Sequence, residues 1–120
     1  MIPRQLQKKI QDSAKKAPVV TLLGPRQSGK TTLSRAAFPE YKYINLEDIN
    51  KKQFALEDPK TFLESLKDEK GVILDEIQNV PDLFSYIQVH VDETKKKGFF
   101  ILTGSQNILL SQHISQTLAG

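Results

Sequence analysis

Residues 24–31 read Gly24-Pro25-Arg26-Gln27-Ser28-Gly29-Lys30-Thr31, a complete fit to the phosphate-loop pattern G-x-x-x-x-G-K-[ST]. No other feature of the chain restricts its fold so far, because this pattern works only between a buried strand and the first turn of a helix. The glycines let main-chain N–H groups turn toward a polyphosphate, the lysine neutralises the outer phosphates, and the Thr hydroxyl reaches Mg²⁺. The flanks agree. Val19-Val20-Thr21-Leu22-Leu23 is a short apolar, β-rich run suited to a buried strand. Lys30 to Ala37 reads as a helix carrying Leu33, Ala36 and Ala37, stopped by Phe38-Pro39.

The remaining segments continue the alternation. Leu6, Ile10 and Ala14 place an amphipathic helix over about residues 5–17, leading to Pro18. Tyr41 to Leu46 alternates as a second strand, and Ile49, Gln53 and Leu56 follow at helical spacing. Asp58-Pro59 predicts a cap and first helical residue, with Phe62, Leu63 and Leu66 inward and Gly71 as the stop. Val72-Ile73-Leu74 is a third strand, apolar on both faces as in a parallel sheet. Pro81 opens a helix with Leu83, Ile87 and Val91 on one stripe, ended by Lys95-Lys96-Lys97 and Gly98. Phe99 to Thr103 is the fourth strand, and Leu110, Ile114 and Leu118 mark a last helix. Strands alternating with helices predict an α/β fold with a mainly parallel sheet and right-handed crossovers. In such sheets ligands bind at the carboxyl ends of the strands. The phosphate loop, Asp75-Glu76 and Thr103-Gly104-Ser105 all fall there.

At 120 residues the chain is one domain, small for a complete nucleotidase. It has no apolar run long enough to span a membrane and no apolar core of a secretory signal after Met1. Cysteine is absent, which excludes disulfides and thiolate metal sites and fits a cytoplasmic location. The net charge is +3, and of 17 basic residues only Arg4, Arg26 and Arg35 are arginine. Lys8-Lys9, Lys15-Lys16 and Lys95-Lys96-Lys97 could together meet a nucleic acid, or they are solvated helix faces and a helix C-terminus. No aromatic stacking motif accompanies them to support the first option.

The chemistry follows from residue type and place. Lys30 spans the β- and γ-phosphates of a bound nucleotide, and Thr31 binds the magnesium ion. N–H groups from Ser28 to Thr32 meet the phosphates at the positive end of the helix. Pro25 has no N–H and shapes the loop's entry; Arg26 either contacts phosphate or a neighbouring subunit, or is solvated. Asp75 ends an apolar strand, as a second magnesium-binding acid does. Glu76 beside it suits the general base that orients and deprotonates the attacking water. Ser105 either senses the γ-phosphate or, like Asn107, caps the last helix. Glu47-Asp48 either approach the site or cap a helix, with capping favoured, and His90 and His113 read as structural or surface residues.

With these residues in place, the chain resembles the ATPase domain of the AAA+ superfamily. More narrowly, it is similar to bacterial and archaeal predicted ATPases that carry a separate C-terminal domain. The resemblance rests on residues 23–32, Tyr43-Ile44-Asn45-Leu46-Glu47-Asp48, Val72-Ile73-Leu74-Asp75-Glu76-Ile77-Gln78 and Phe100-Ile101-Leu102-Thr103-Gly104-Ser105, and covers nearly the whole chain. It implies a three-layer α/β/α sandwich, ATP or ADP with Mg²⁺, Gly24 to Thr31 as Walker A, Asp75-Glu76 as Walker B, and Ser105 at the sensor-1 position. Catalytic roles then fall to Glu76, Lys30 and Ser105, metal binding to Thr31 and Asp75. The partners it implies are a homo-oligomer or a C-terminal domain. Two departures stand out. Four strands are read where the family has five, so the chain is expected to be an N-terminal fragment. No arginine follows Arg35, so the finger of related ATPases is missing and the chain is expected to bind ATP better than it turns it over. The alternatives are a nucleotide-binding switch with negligible hydrolysis and a phosphate-loop kinase. A GTPase is disfavoured, since Asn50-Lys51-Lys52-Gln53 lacks the acid of the guanine-reading segment.

Overall fold

The computed structural model describes residues 4–25 and 29–105. In order these form α1 (Arg4–Lys16), β1 (Val19–Leu23), α2 (Lys30–Ala37), β2 (Lys42–Asn45), α3 (Ile49–Glu57), α4 (Pro59–Glu64), β3 (Val72–Asp75), a 3₁₀ turn (Ile77–Asn79), α5 (Leu83–Thr94) and β4 (Phe100–Gly104). All strand pairs are parallel, in the order β1-β4-β3-β2. The fold is the α/β sandwich expected. The order carries the functional consequence: β4, the last of the described strands in sequence, lies between the strand that feeds the phosphate loop and the strand that ends in Asp75.

Side-chain alternation along the strands divides the core in two. Val20, Ile73 and Ile101 face α1 and α2, where they pack with Ile10, Ala14, Leu33 and Ala37. Val19, Ile44, Leu74, Phe100 and Leu102 face α3, α4 and α5, against Phe62, Leu63, Leu83, Phe84 and Ile87. Both faces of β3 and β4 are buried, which explains why these strands are uninterrupted apolar runs. Each fully buried Leu, Ile or Phe contributes about 1.5–3 kcal/mol relative to exposure.

Several expectations are corrected. The helix after Asp58 stops at Glu64 and residues 65–70 form turns, so Gly71 does not end it. Gly71 instead lies where a Cβ would stand 2.2 Å from the Tyr41 ring. The helix predicted from Pro81 begins at Leu83, after a turn through Pro81 and Asp82. In α3 the residues at helical spacing do not face the core: Ile49 is 76% exposed, Gln53 and Leu56 are exposed, and Ala55 is the buried one. Leu6 and Ala36 are also exposed, whereas Ile10, Ala14, Leu33 and Ala37 are buried. Asp48 caps α3 by accepting N–H bonds from Asn50 (2.9 Å) and Lys51 (3.4 Å). Asp58 caps α4 through Thr61 N–H (3.1 Å) with Pro59 at the first turn, as predicted. His90 lies on α5 with its ring edge-on to Phe100. Arg26, Gln27, Ser28, Asn107, His113 and the helix expected through Leu110, Ile114 and Leu118 lie outside the described residues.

Candidate functional site

The carboxyl ends of β1, β3 and β4 bring the predicted polar residues together. The Gly24 N–H donates to the Gly104 carbonyl (3.1 Å), so the phosphate loop leaves β1 while still paired to the end of β4. It rejoins regular structure at Gly29, whose φ of +90° is left-handed and strains any residue with a Cβ. Among the described residues no side chain caps α2, and its first-turn N–H groups have no intrahelical acceptor. They stand at the positive end of the helix dipole. Lys30, only 8% exposed, donates to the Pro25 carbonyl (3.2 Å). Its ammonium thus folds back onto the neutral Pro25 carbonyl, a bond readily exchanged for one to an anion. Thr32 is exposed on the same first turn.

Asp75 is 3% exposed and collects three hydroxyl donors. Thr31 donates to Oδ2 (2.9 Å), Tyr43 donates to the same oxygen, and Thr103 donates to Oδ1. The Thr103 hydroxyl also accepts the Glu76 N–H (3.2 Å). Because an N–H can only donate and a carboxylate only accept, the polarity of this relay is fixed. Thr103, at 0% exposure, couples the two acids.

Glu76 is the first residue past β3 and sits in the left-handed region at φ 60°, one of two non-glycine residues there among those described. Its side chain is largely buried, at 9% exposure. Gln78 Nε2 donates to Glu76 Oε1 (2.7 Å), and the Asn79 amide holds the Glu76 carbonyl (2.9 Å). The Gln78 oxygen accepts the Ser105 N–H (3.3 Å). A Cβ on Gly104 would stand 2.8 Å from that oxygen, so glycine makes room for the bridge. Ser105 is thereby placed beside Glu76 through its main chain.

Two residues join the cluster that sequence reasoning missed as site residues, Tyr43 and Gln78. Tyr43 reaches Asp75 along one face of the sheet. Asn45 stands opposite Asp75, and Tyr43 lies two residues earlier on β2. Burial, and next the hydrogen bond to Asp75, push the Tyr43 phenol well above the ordinary tyrosine range, so it remains a donor at neutral pH. The Arg35 guanidinium lies over its ring, 4.4 Å from the centroid.

The donor set suits a small hard cation. It offers oxygens alone, a Thr31 hydroxyl that keeps lone pairs while donating to Asp75, and one carboxylate, as magnesium sites shared with phosphate do.

A parallel sheet with a phosphate loop at one strand end and an acid pair two strands away defines a phosphate-loop nucleotide-binding domain of the ATPase type. The chain belongs to the AAA domain family, whose profile matches residues 16–120. It is 39% identical over 109 residues to an uncharacterised protein of Mycobacterium tuberculosis and, to the same degree, to one of Mycobacterium bovis. Each match covers 88% of this chain and 24% of the relative, so the chain spans about a quarter of those proteins' length. Among solved structures it is similar to a DNA replication initiation factor, with a TM-score of 0.64 and 18% identity over 95% of this chain and 43% of that one. That likeness concerns the fold. Among the described residues no helix is long and apolar enough to cross a membrane.

Proposed function

We propose that the chain binds ATP with Mg²⁺ and hydrolyses it to ADP and phosphate, as the nucleotide module of a larger AAA-type protein. The observation that carries this is the adjacency of Thr31 and Asp75, 2.9 Å apart, with buried Glu76 next in sequence and the loop lysine on the same edge. Lys30 neutralises the outer phosphates, and the main-chain amides of Gly29 to Thr32 hold them together with the loop residues Gly24 to Ser28. Thr31 and Asp75 hold the magnesium ion, which when bound withdraws charge from the phosphate oxygens. Glu76 aligns the attacking water and takes its proton. Ser105, tied to Glu76 through Gln78, is the proposed γ-phosphate sensor. Location in the cytoplasm and assembly with a further domain or with copies of the chain belong to the same reading.

The Gln78–Glu76 hydrogen bond favours a second reading, a nucleotide switch with negligible turnover, because the amide occupies a carboxylate oxygen that would otherwise face the attacking water. Calorimetry and phosphate release separate the two. Lys30→Ala is expected to abolish binding of ATP and ADP. Glu76→Gln is expected to keep binding and to lower single-turnover hydrolysis by ~10²–10⁴. No heat from nucleotide and Mg²⁺ on the folded parent chain refutes both readings; turnover unchanged in Glu76→Gln refutes the assignment of the base.

A further inference from the structure

Two side chains, Tyr43 on Asp75 and Arg35 over the Tyr43 ring, take no part in the chemistry proposed above. Arg35 stands one turn beyond Thr31 on α2, so the two share a helix face. That face touches Asp75 twice: directly through the Thr31 hydroxyl, and indirectly through the guanidinium that covers the ring of Tyr43. Thr31 and Thr103 already donate to both carboxylate oxygens, so Tyr43 is not needed to satisfy a buried acid. Half-buried on β2, the edge strand of the described sheet, it adds a donor from a third element to those from α2 and β4.

We infer that Tyr43, clamped by Arg35, is a positioning residue that fixes the orientation of the Asp75 carboxylate and so sets the affinity for the divalent ion of a metal–nucleotide complex. Three donors from three elements leave Asp75 one orientation toward a cation; without the phenol the carboxylate keeps its charge and loses part of that definition. Outer hydrogen bonds to a metal ligand are worth ~10–100-fold in metal affinity. The inference rests on Asp75 as a metal ligand, and its test separates the two.

Mn²⁺ is titrated into the chain at saturating ADP and followed by electron paramagnetic resonance, with ADP affinity in chelator as the metal-free reference. Tyr43→Phe keeps the ring beneath Arg35 and removes only the hydroxyl. It is expected to raise the Mn²⁺ midpoint about tenfold and to lower the ratio of metal-bound to metal-free ADP affinity by the same factor. Arg35→Ala, at an exposed position, is expected to shift both in the same direction by less, and it carries the test alone should Tyr43→Phe fail to fold. An unshifted midpoint in folded Tyr43→Phe overturns the inference while leaving the parent site intact. A parent chain that binds ADP but no Mn²⁺ overturns Asp75 as a ligand and the inference with it, and a parent that binds no ADP removes the nucleotide reading altogether.

Discussion

At the residue scale the hydroxyl of Thr103 has the largest consequence for its size. It accepts from the main chain of one acid and donates to the side chain of the other. Thr103→Val keeps the shape and deletes both bonds, leaving a buried carboxylate oxygen and a buried N–H each one partner short. Such losses cost about 1–3 kcal/mol apiece. We expect a stability loss of roughly 2–6 kcal/mol in urea unfolding, together with weaker metal-dependent nucleotide binding; a variant as stable as the parent removes Thr103 from this role. The phosphate loop and the acid pair are legible in the sequence because each is local, with its spacing written along a few residues. Tyr43 is not, since its meeting with Asp75 depends on the pairing of β2 with β3 and on a diagonal reach across that pair. Gln78 is obscured similarly: its bridge to Ser105 exists only because β4 lies beside β3.

At the scale of elements, the strands and the caps Asp48 and Asp58 follow from sequence, because apolar runs and Asp before a helical pattern have direct physical meaning. Helix faces are less legible where the helix is poorly anchored. In α3 Ala55 is buried while Ile49, Phe54 and Leu56 are exposed, so its apolar spacing says little about the core. The helix then leans on its cap, and Asp48→Ala is expected to cost about 1 kcal/mol. Because so little of α3 is buried, most of the effect should be local, seen as faster amide hydrogen exchange across residues 49–57. Uniformly faster exchange throughout the sheet is the contrary result, and it would tie α3 to the global unfolding unit.

For the whole molecule, the two edges of the sheet are specialised differently. The carboxyl edge gathers the loop, the acids and their hydroxyl relay. At the opposite edge Tyr41 donates to the Gly98 carbonyl (2.6 Å) and its ring covers Gly71, holding together the amino ends of β2, β3 and β4. Gly71→Ala forces that ring aside, which should destabilise the fold by roughly 1–3 kcal/mol. Nucleotide affinity, set at the other edge, should remain within about twofold of the parent, since distant sites act additively. Affinity that falls in step with stability would show the edges to be coupled. The strand order, which no single segment of sequence contains, is what separates these edges and inserts Thr103 between loop and acids.

The backward bend at Glu76 also bears on how firm the domain is. A long side chain held at positive φ costs of order 1–3 kcal/mol, a load that glycine or asparagine would carry more lightly. A protein shaped for stability alone has no use for a glutamate there. The domain gives up stability that a glycine at this place would keep, and the loss falls beside the carboxylate proposed to meet the attacking water.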